Sequence, residues 1–273
     1  MPDGMALDIV VLESKGSQHP AGVVETEKGW NKGQQMALRV ACDLDGTVAD
    51  MEGALQREAE QLFGPDVVLR PAGSAHLEAP EDVETPPDGL QAVDSSAEKK
   101  TLTPRQLRQL WEHVVTIDNF WTTLREIEPG SVARIAGLRA EHRLEVMFLT
   151  QRPDTAGEPA QLQTQRWLAA HGFEFPSVFV LHGSRGRAAA ALHIDVVLDD
   201  RPENCLEVVT ESKARPILVW REPIETVPPG AARLGIETVF SIADALQRIE
   251  DLIGATPTPT STFVSRLRNT IGI

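Results

Sequence analysis

The sequence predicts a doubly wound α/β domain, in which helices cover both faces of a parallel sheet. Short apolar runs that end at polar residues recur along the chain, at 38–42, 144–149, 178–181, 194–198 and 216–220. Segments with helical periodicity lie between or after them, at 131–142, 158–171, 185–193, 204–212 and 242–253. Strands alternating with helices indicate βαβ units, and continuously apolar strands indicate a sheet buried on both faces. Ligands of such a fold bind at the carboxyl ends of the strands.

One stretch interrupts this alternation, because residues 50–128 contain no convincing strand. The patterns at 52–63 and 103–115 predict amphipathic helices, the second starting with Thr103 as N-cap and Pro104 at the first helical position. Residues 70–100 are rich in Pro, Glu, Asp, Ser and Ala, which predicts a flexible loop. We therefore expect a small helical cap at 51–127, inserted after the first strand between core segments 37–50 and 128–253.

The two ends of the chain differ from this core. Residues 1–36 predict an N-terminal extension that is partly disordered, with a short strand possible at 6–12. Residues 254–273 predict a linker, marked by Pro257 and Pro259, followed by a basic tail. No functional residue is expected before Met36, and the sequence does not indicate a role for the tail.

Charge and composition exclude several classes of function. The chain has 26 Lys and Arg against 40 Asp and Glu, a net charge of −14, which argues against binding a nucleic acid polymer. Its two cysteines cannot build a disulfide framework or, alone, a zinc site. No apolar run approaches the ~18 residues of a membrane span. We expect a cytoplasmic protein without membrane contact, and the sequence does not indicate its oligomeric state.

Polar residues of catalytic type end three of the predicted strands. They are Asp43 and Asp45 after the first, Thr150 after the second, and Asp199 and Asp200 after the fourth. Carboxylates that converge on one sheet edge repel one another unless a cation lies between them. Oxygen ligands with room for water and phosphate suit Mg²⁺. Taken singly, each motif also has a structural interpretation, because Asp-Gly is a common turn pair and an acidic residue often caps a helix.

These residues resemble the motifs of the haloacid-dehalogenase-like phosphohydrolase superfamily. The run Asp43-Leu44-Asp45-Gly46-Thr47-Val48 matches its first motif, Thr150 its second, and Asp199, Asp200 and Asn204 its fourth. The resemblance covers roughly 38–253, and the expected insertion stands where that superfamily carries a helical cap. The segments at 45–50, 119–121, 149–153 and 198–202 look most like the 5′(3′)-deoxyribonucleotidase branch.

The resemblance implies a role for each matched residue. Asp43 would attack phosphorus and form an aspartyl-phosphate. Asp45 would protonate the leaving oxygen and then activate water. Thr150 and the adjacent Gln151 would bind the phosphoryl group.

The same resemblance implies a Mg²⁺ site. The ion would be held by the Asp43 carboxylate, the Asp45 backbone carbonyl and an acid of the last motif. Asp200 is the preferred ligand, because its spacing to Asn204 fits the longer form of that motif. Asp199 would then not bind the ion directly but would accept hydrogen bonds from groups next to the ligand.

One family feature is missing, since no lysine lies between Lys100 and Lys213. The family places a lysine before the fourth strand, where it neutralises the nucleophile and the phosphate. Arg185 and Arg187 are the candidates to replace it in binding phosphate. Arg185 is preferred, because a helix start also directs backbone N–H groups toward an anion. Arginine carries the charge in a planar fork, which is not equivalent to an ammonium group.

Three functions follow as hypotheses. The first is a Mg²⁺-dependent phosphomonoester hydrolase that acts on a small phosphorylated metabolite or nucleotide. The second is a weakly active or inactive phosphate-binding protein, which the missing lysine favours, and the third is a phosphotransferase such as a mutase. Arg152 and Arg201 could reach a substrate or form structural ion pairs. The sequence does not identify the natural substrate.

Overall fold

A computed structural model describes residues 37–69, 100–142 and 144–255. Its central sheet consists of β1 Leu38–Asp43, β4 Leu144–Thr150, β5 Ser177–Val180, β6 Val196–Asp199, β7 Arg215–Val219 and β8 Glu237–Val239. Two very short strands, β2 Val67–Val68 and β3 Lys100–Thr101, form a separate parallel pair. The expected N-terminal extension, almost all of the expected loop and nearly all of the expected tail lie outside the described residues.

All six strands of the main sheet are parallel, in the order β5-β4-β1-β6-β7-β8. The chain passes from β1 to β4 and β5 on one side of β1, then changes direction and passes to β6, β7 and β8 on the other side. Val40 accordingly pairs with Val146 of β4 on one side and Val196 of β6 on the other. In such a sheet the crevice for a ligand lies at this change of direction, at the carboxyl ends of the strands.

Five helices follow the predicted pattern: α3 Ser131–Glu141, α4 Ala160–Ala170, α5 Arg185–Ala191, α6 Pro202–Glu211 and α7 Ile242–Ala255. Alternate residues of β1 face opposite sides, because Val40 and Cys42 pack with α3, α4 and α7 whereas Ala41 packs with α5 and α6. Helices therefore cover both faces, and the predicted α/β class is confirmed. Among the described residues no helix combines the length and apolar character needed to cross a membrane.

The strand β8 was not predicted from the sequence. Its three residues include Glu237 and Thr238, so it lacks the apolar run that marks the other strands. It pairs with β7 at the sheet edge, where fewer apolar side chains need to be buried. The strand expected at 194–198 is observed at Val196–Asp199, and its pairing with β1 begins at Val196.

The segment between β1 and β4 contains α1 Met51–Phe63 and α2 Pro104–Val114. Thr103 and Gln106 cap the start of α2 by exchanging hydrogen bonds, as its sequence predicts. Leu55 of α1 and Leu110 of α2 are fully buried in the same apolar cluster as one face of the sheet. The two helices thus pack on the core. That they form a cap over the substrate remains a prediction.

Candidate active site

Three acidic residues lie together at the carboxyl edge of the sheet. Asp43 ends β1 and Asp199 ends the adjacent β6, so strand pairing brings them to one place, and Asp200 follows directly. One carboxylate oxygen from each lies within 4.8 Å of the others. All three residues are buried, at 4%, 0% and 3% exposure. Because buried carboxylates are rare without compensating charge, this cluster is chemically unusual.

Arg185 supplies positive charge to the cluster. It is the first residue of α5 and is 3% exposed, its Nη2 donates a hydrogen bond to Asp43 Oδ1, and its Nε lies 3.4 Å from Asp199 Oδ2. Within the described part of the chain, the buried Nε and Nη1 have no hydrogen-bond partner. Buried donors of this kind normally find an acceptor, and an anionic ligand would provide one.

The structure separates the two candidate arginines. The side chain of Arg187 is 82% exposed, and its Nε lies 3.4 Å from Glu211. Ser184 caps α5 by accepting hydrogen bonds from the backbone N–H groups of Gly186 and Arg187. The helix start therefore turns Arg185 inward and Arg187 toward solvent.

The cluster has more negative than positive charge. Three carboxylates against one guanidinium leave two formal negative charges in a buried place. Burial raises the pKa of Asp43 well above its ordinary value, although Arg185 opposes that rise. Burial also raises the pKa of Asp199, and burial together with the charge of Asp199 raises the pKa of Asp200 to about 7. An all-oxygen donor set with excess negative charge fits a hard divalent cation.

Hydrogen bonds distinguish the two acids of the last motif. Asp199 accepts from the Arg201 backbone N–H at 2.9 Å and, with both of its oxygens, from Asn204 Nδ2 at 3.0 Å. Asp200 accepts from Thr47 Oγ1 at 3.0 Å. Asn204 thus orients Asp199 in particular.

The turn after β1 is held in an unusual conformation beside Asp200. Gly46 has a φ of 91°, and a Cβ at this position would overlap the Asp200 carboxylate. Arg221 donates 2.8 Å hydrogen bonds to the backbone oxygens of Gly46 and Thr47, and a third of 2.8 Å to Glu128. Arg221 was not predicted as a site residue; the signal for it in the sequence is an arginine directly after the predicted strand at 216–220.

Asp45 lies in a second group of contacts. It accepts a 3.0 Å hydrogen bond from Thr150 Oγ1, and both of its oxygens accept from Arg152. Thr150 therefore contacts Asp45 in this structure. Gln151 is exposed and donates to the Gly183 backbone oxygen at 3.2 Å, at the edge of the site.

A cavity of about 190 Å³ opens next to the acidic cluster. Its wall includes Asp200 and Gly46, Trp220 directly after β7, and Met51 at the start of α1. A larger groove of about 430 Å³ lies between α3 and α7 and contains none of the predicted site residues. Of these two spaces, the smaller one therefore borders the acidic cluster, through Asp200.

No protein-family model matches this sequence, and no curated protein matches it. Among solved structures, the chain is similar to a hydrolase from Pseudomonas syringae. The two chains are 14% identical, the match covers 80% of this chain and 99% of that one, and the TM-score is 0.40. What the site can do chemically therefore follows from its own residues.

Proposed function

We propose that this protein is a Mg²⁺-dependent hydrolase of phosphate monoesters, of the haloacid-dehalogenase-like kind, with Asp43 as its nucleophile. The observation that carries the proposal is the contact between Asp43 and Arg185 beside Asp199 and Asp200. A nucleophilic carboxylate, a fixed cation and two further acids thereby meet where an open α/β sheet binds its ligands. The order of the motifs along the chain supports the same proposal.

The reaction proceeds in two displacements. An Asp43 oxygen attacks phosphorus, and the bond from phosphorus to the leaving oxygen breaks with its electron pair on that oxygen. Water then attacks the aspartyl-phosphate, which breaks the bond to Asp43 and releases phosphate. Asp45 is the ionisable group that exchanges protons during these steps. Arg185 places positive charge where the phosphoryl oxygens gain negative charge, a form of stabilisation that is effective in a buried site.

The residues present fit a Mg²⁺ ion. Asp43, Asp200 and the backbone carbonyl of Asp45 would hold it, while Asp199 stays hydrogen-bonded to Asn204. When bound, the ion neutralises the excess negative charge and screens the phosphate from the carboxylates.

The substrate we propose is a small phosphorylated metabolite, with nucleotides as one class, in the cytoplasm. The start of α1 lines the cavity beside Asp200, which supports the prediction that the 51–127 segment contacts the leaving group. Membership of the nucleotidase branch stays a prediction from the motifs.

A second candidate is a protein that binds phosphate without hydrolysing it. The hydrogen bond from Arg185 to Asp43 favours it, because a guanidinium paired directly with the nucleophile reduces the availability of that oxygen for attack. Both candidates require phosphate at this site, and they differ in turnover.

The deciding experiment is hydrolysis of p-nitrophenyl phosphate with Mg²⁺ and after removal of divalent ions by EDTA. We expect turnover only with Mg²⁺, and its loss in Asp43→Asn, which keeps the shape of the side chain and removes its charge. Asp251→Asn is the matched control, since Asp251 is an exposed residue of α7 that pairs with Arg248 of the same helix. Equal activity of Asp43→Asn and the parent would refute the covalent mechanism. Phosphate binding without any turnover would favour the second candidate.

A further inference from the structure

Arg221 joins the turn after β1 to three other parts of the fold. It lies two residues beyond the end of β7, and its Nη1 donates to the Gly46 backbone oxygen at 2.8 Å. Its Nη2 donates to the Thr47 backbone oxygen and to Glu128 Oε1, each at 2.8 Å. Glu128, just before α3, also accepts from the backbone N–H of Ile242, the first residue of α7, at 2.9 Å and 3.1 Å. One guanidinium thus ties this turn to β7 and to the starts of α3 and α7.

The effect of Arg221 on the site is geometric more than electrostatic. Its positive charge is offset by Glu128, with which it forms an ion pair. The side chains of Arg221 and Glu128 are only 24% and 21% exposed, so solvent competes weakly for their hydrogen bonds. A planar guanidinium carries five N–H donors in fixed directions, which lets it hold two neighbouring carbonyls and a carboxylate at once.

The turn that Arg221 holds contacts each group that would bind Mg²⁺. The Gly46 N–H donates at 3.0 Å to the backbone oxygen three positions later, and because a peptide is planar, this bond fixes the direction of the Asp45 carbonyl. Thr47 Oγ1 lies 3.0 Å from Asp200 Oδ1 and 3.4 Å from Asp43 Oδ2. Gly46 itself lies so close to Asp200 that a Cβ would overlap the carboxylate. The conformation of the turn therefore sets the positions of all three groups.

We propose that Arg221, held by Glu128, is a positioning residue that fixes this turn in the conformation that binds Mg²⁺. This inference rests on the proposed function. The acids of the cluster repel one another, and a loose turn would let Asp43 and Asp200 move apart before the ion binds. Ordering them again would then cost part of the binding free energy. Since Arg221 provides none of the proposed ligand atoms, its removal should weaken Mg²⁺ binding without abolishing it.

The test is calorimetric titration of the full chain with Mg²⁺ in the absence of substrate. We expect Arg221→Ala to bind Mg²⁺ about 10–100-fold more weakly than the parent, the usual effect of losing a group that orients metal ligands. With p-nitrophenyl phosphate, the Mg²⁺ concentration that gives half of the full rate should rise by the same factor. The rate at saturating Mg²⁺ should return to that of the parent. Arg221→Lys should lose less affinity, because an ammonium group keeps some of the three contacts.

Arg134→Ala is the matched control. Arg134 of α3 also pairs with Glu128, at 3.5 Å, but its side chain is 46% exposed. Removing it takes away a cation from the same carboxylate and leaves the hydrogen bonds of Arg221 to the turn in place. This variant should bind Mg²⁺ as the parent does.

Unchanged Mg²⁺ affinity in Arg221→Ala, or an equal loss in Arg134→Ala, would overturn this inference and leave the proposed function intact. A rate that stays low at saturating Mg²⁺ would also overturn it, because Arg221 would then act on the chemical steps. A parent that binds Mg²⁺ without hydrolysing the ester would count against the proposed function alone, and a parent that binds no Mg²⁺ would refute both. Where circular dichroism shows that Arg221→Ala does not fold, Arg221→Lys is judged by the same two measurements.

Discussion

Arg185 illustrates at the scale of one residue how this site balances its charges. The guanidinium contacts Asp43, lies near Asp199 and is almost fully buried. Its charge cannot be screened by solvent there, so it acts on the carboxylates more strongly than a surface cation does. A lysine would carry the same charge as a compact ammonium group, which contacts fewer atoms at once.

We expect Arg185→Ala to lower kcat/KM for p-nitrophenyl phosphate by about 10²–10³, the effect of removing a single group that stabilises transition-state charge. Arg187→Ala should have a much smaller effect, because its side chain is exposed and paired with Glu211. Arg185→Lys should retain part of the activity. Steady-state kinetics of the three variants check this prediction. An equal loss in Arg185→Ala and Arg187→Ala would contradict the assignment.

The contact between α5 and α6 illustrates how a pair of elements places a catalytic side chain. Gly186 follows Arg185, and a Cβ on it would overlap the backbone carbonyl of Glu207 in α6. The Arg185 backbone N–H also donates to the Glu207 side chain at 2.8 Å. The glycine allows α5 to lie directly against α6, and this closeness brings Arg185 to the carboxyl end of β1.

We expect Gly186→Ala to push α5 away from α6, with a lower melting temperature and a loss of phosphatase activity. Gly137→Ala in α3 is the control, because nothing lies within 4 Å of its added Cβ. That change should stabilise the protein by roughly 0.5–1 kcal/mol, since alanine favours a helix more than glycine does. Thermal unfolding and the activity assay measure both effects. Equal melting temperatures for the two variants would show that α5 does not depend on this close contact.

At the scale of the whole molecule, the sheet gathers acidic residues that are distant in sequence. The order in which the strands are added reverses beside β1, so that β1 and β6 are neighbours in the sheet. The acidic residues at their carboxyl ends therefore lie close together in a buried site. The raised pKa of Asp200, about 7 against an ordinary 3.8, follows from this assembly. Burial of Asp43 and Asp199 raises their pKa values in the same direction.

This assembly predicts a pH-dependent stability without metal. Between about pH 4 and 7 folded Asp200 holds a proton that the unfolded chain has lost, so the folded state is favoured at low pH and loses this advantage as pH rises. We expect the metal-free protein to lose on the order of 1 kcal/mol from pH 5 to pH 8, a fall of about 2–4 °C in melting temperature.

Mg²⁺ should restore this loss at pH 8 and have less effect at pH 5, because its binding requires ionised carboxylates. Thermal unfolding at the two pH values, with and without Mg²⁺, measures the effect. Asp200→Asn is the comparison, since it cannot titrate and should show a weaker dependence on both pH and Mg²⁺. A melting temperature that rises from pH 5 to pH 8 without metal would contradict the sign.

Local patterns in the sequence predicted the α/β class, the parallel strands and the strand-end positions of Asp43, Thr150 and Asp199. They could do so because apolar periodicity and turn residues are local properties of the chain. The strand β8 was not predicted, since an edge strand of three residues shows little apolar periodicity.

Which side chains contact one another, in contrast, depends on tertiary packing. Arg152 and Asp45 lie 107 positions apart in sequence, and Arg221 lies 175 positions from Gly46, so no local pattern connects them. The choice between Arg185 and Arg187 likewise depends on the orientation of α5 against α6 and the sheet. Such contacts depend on how helices pack across the sheet, because packing sets the direction of each side chain, and the chemistry of this site depends on those directions.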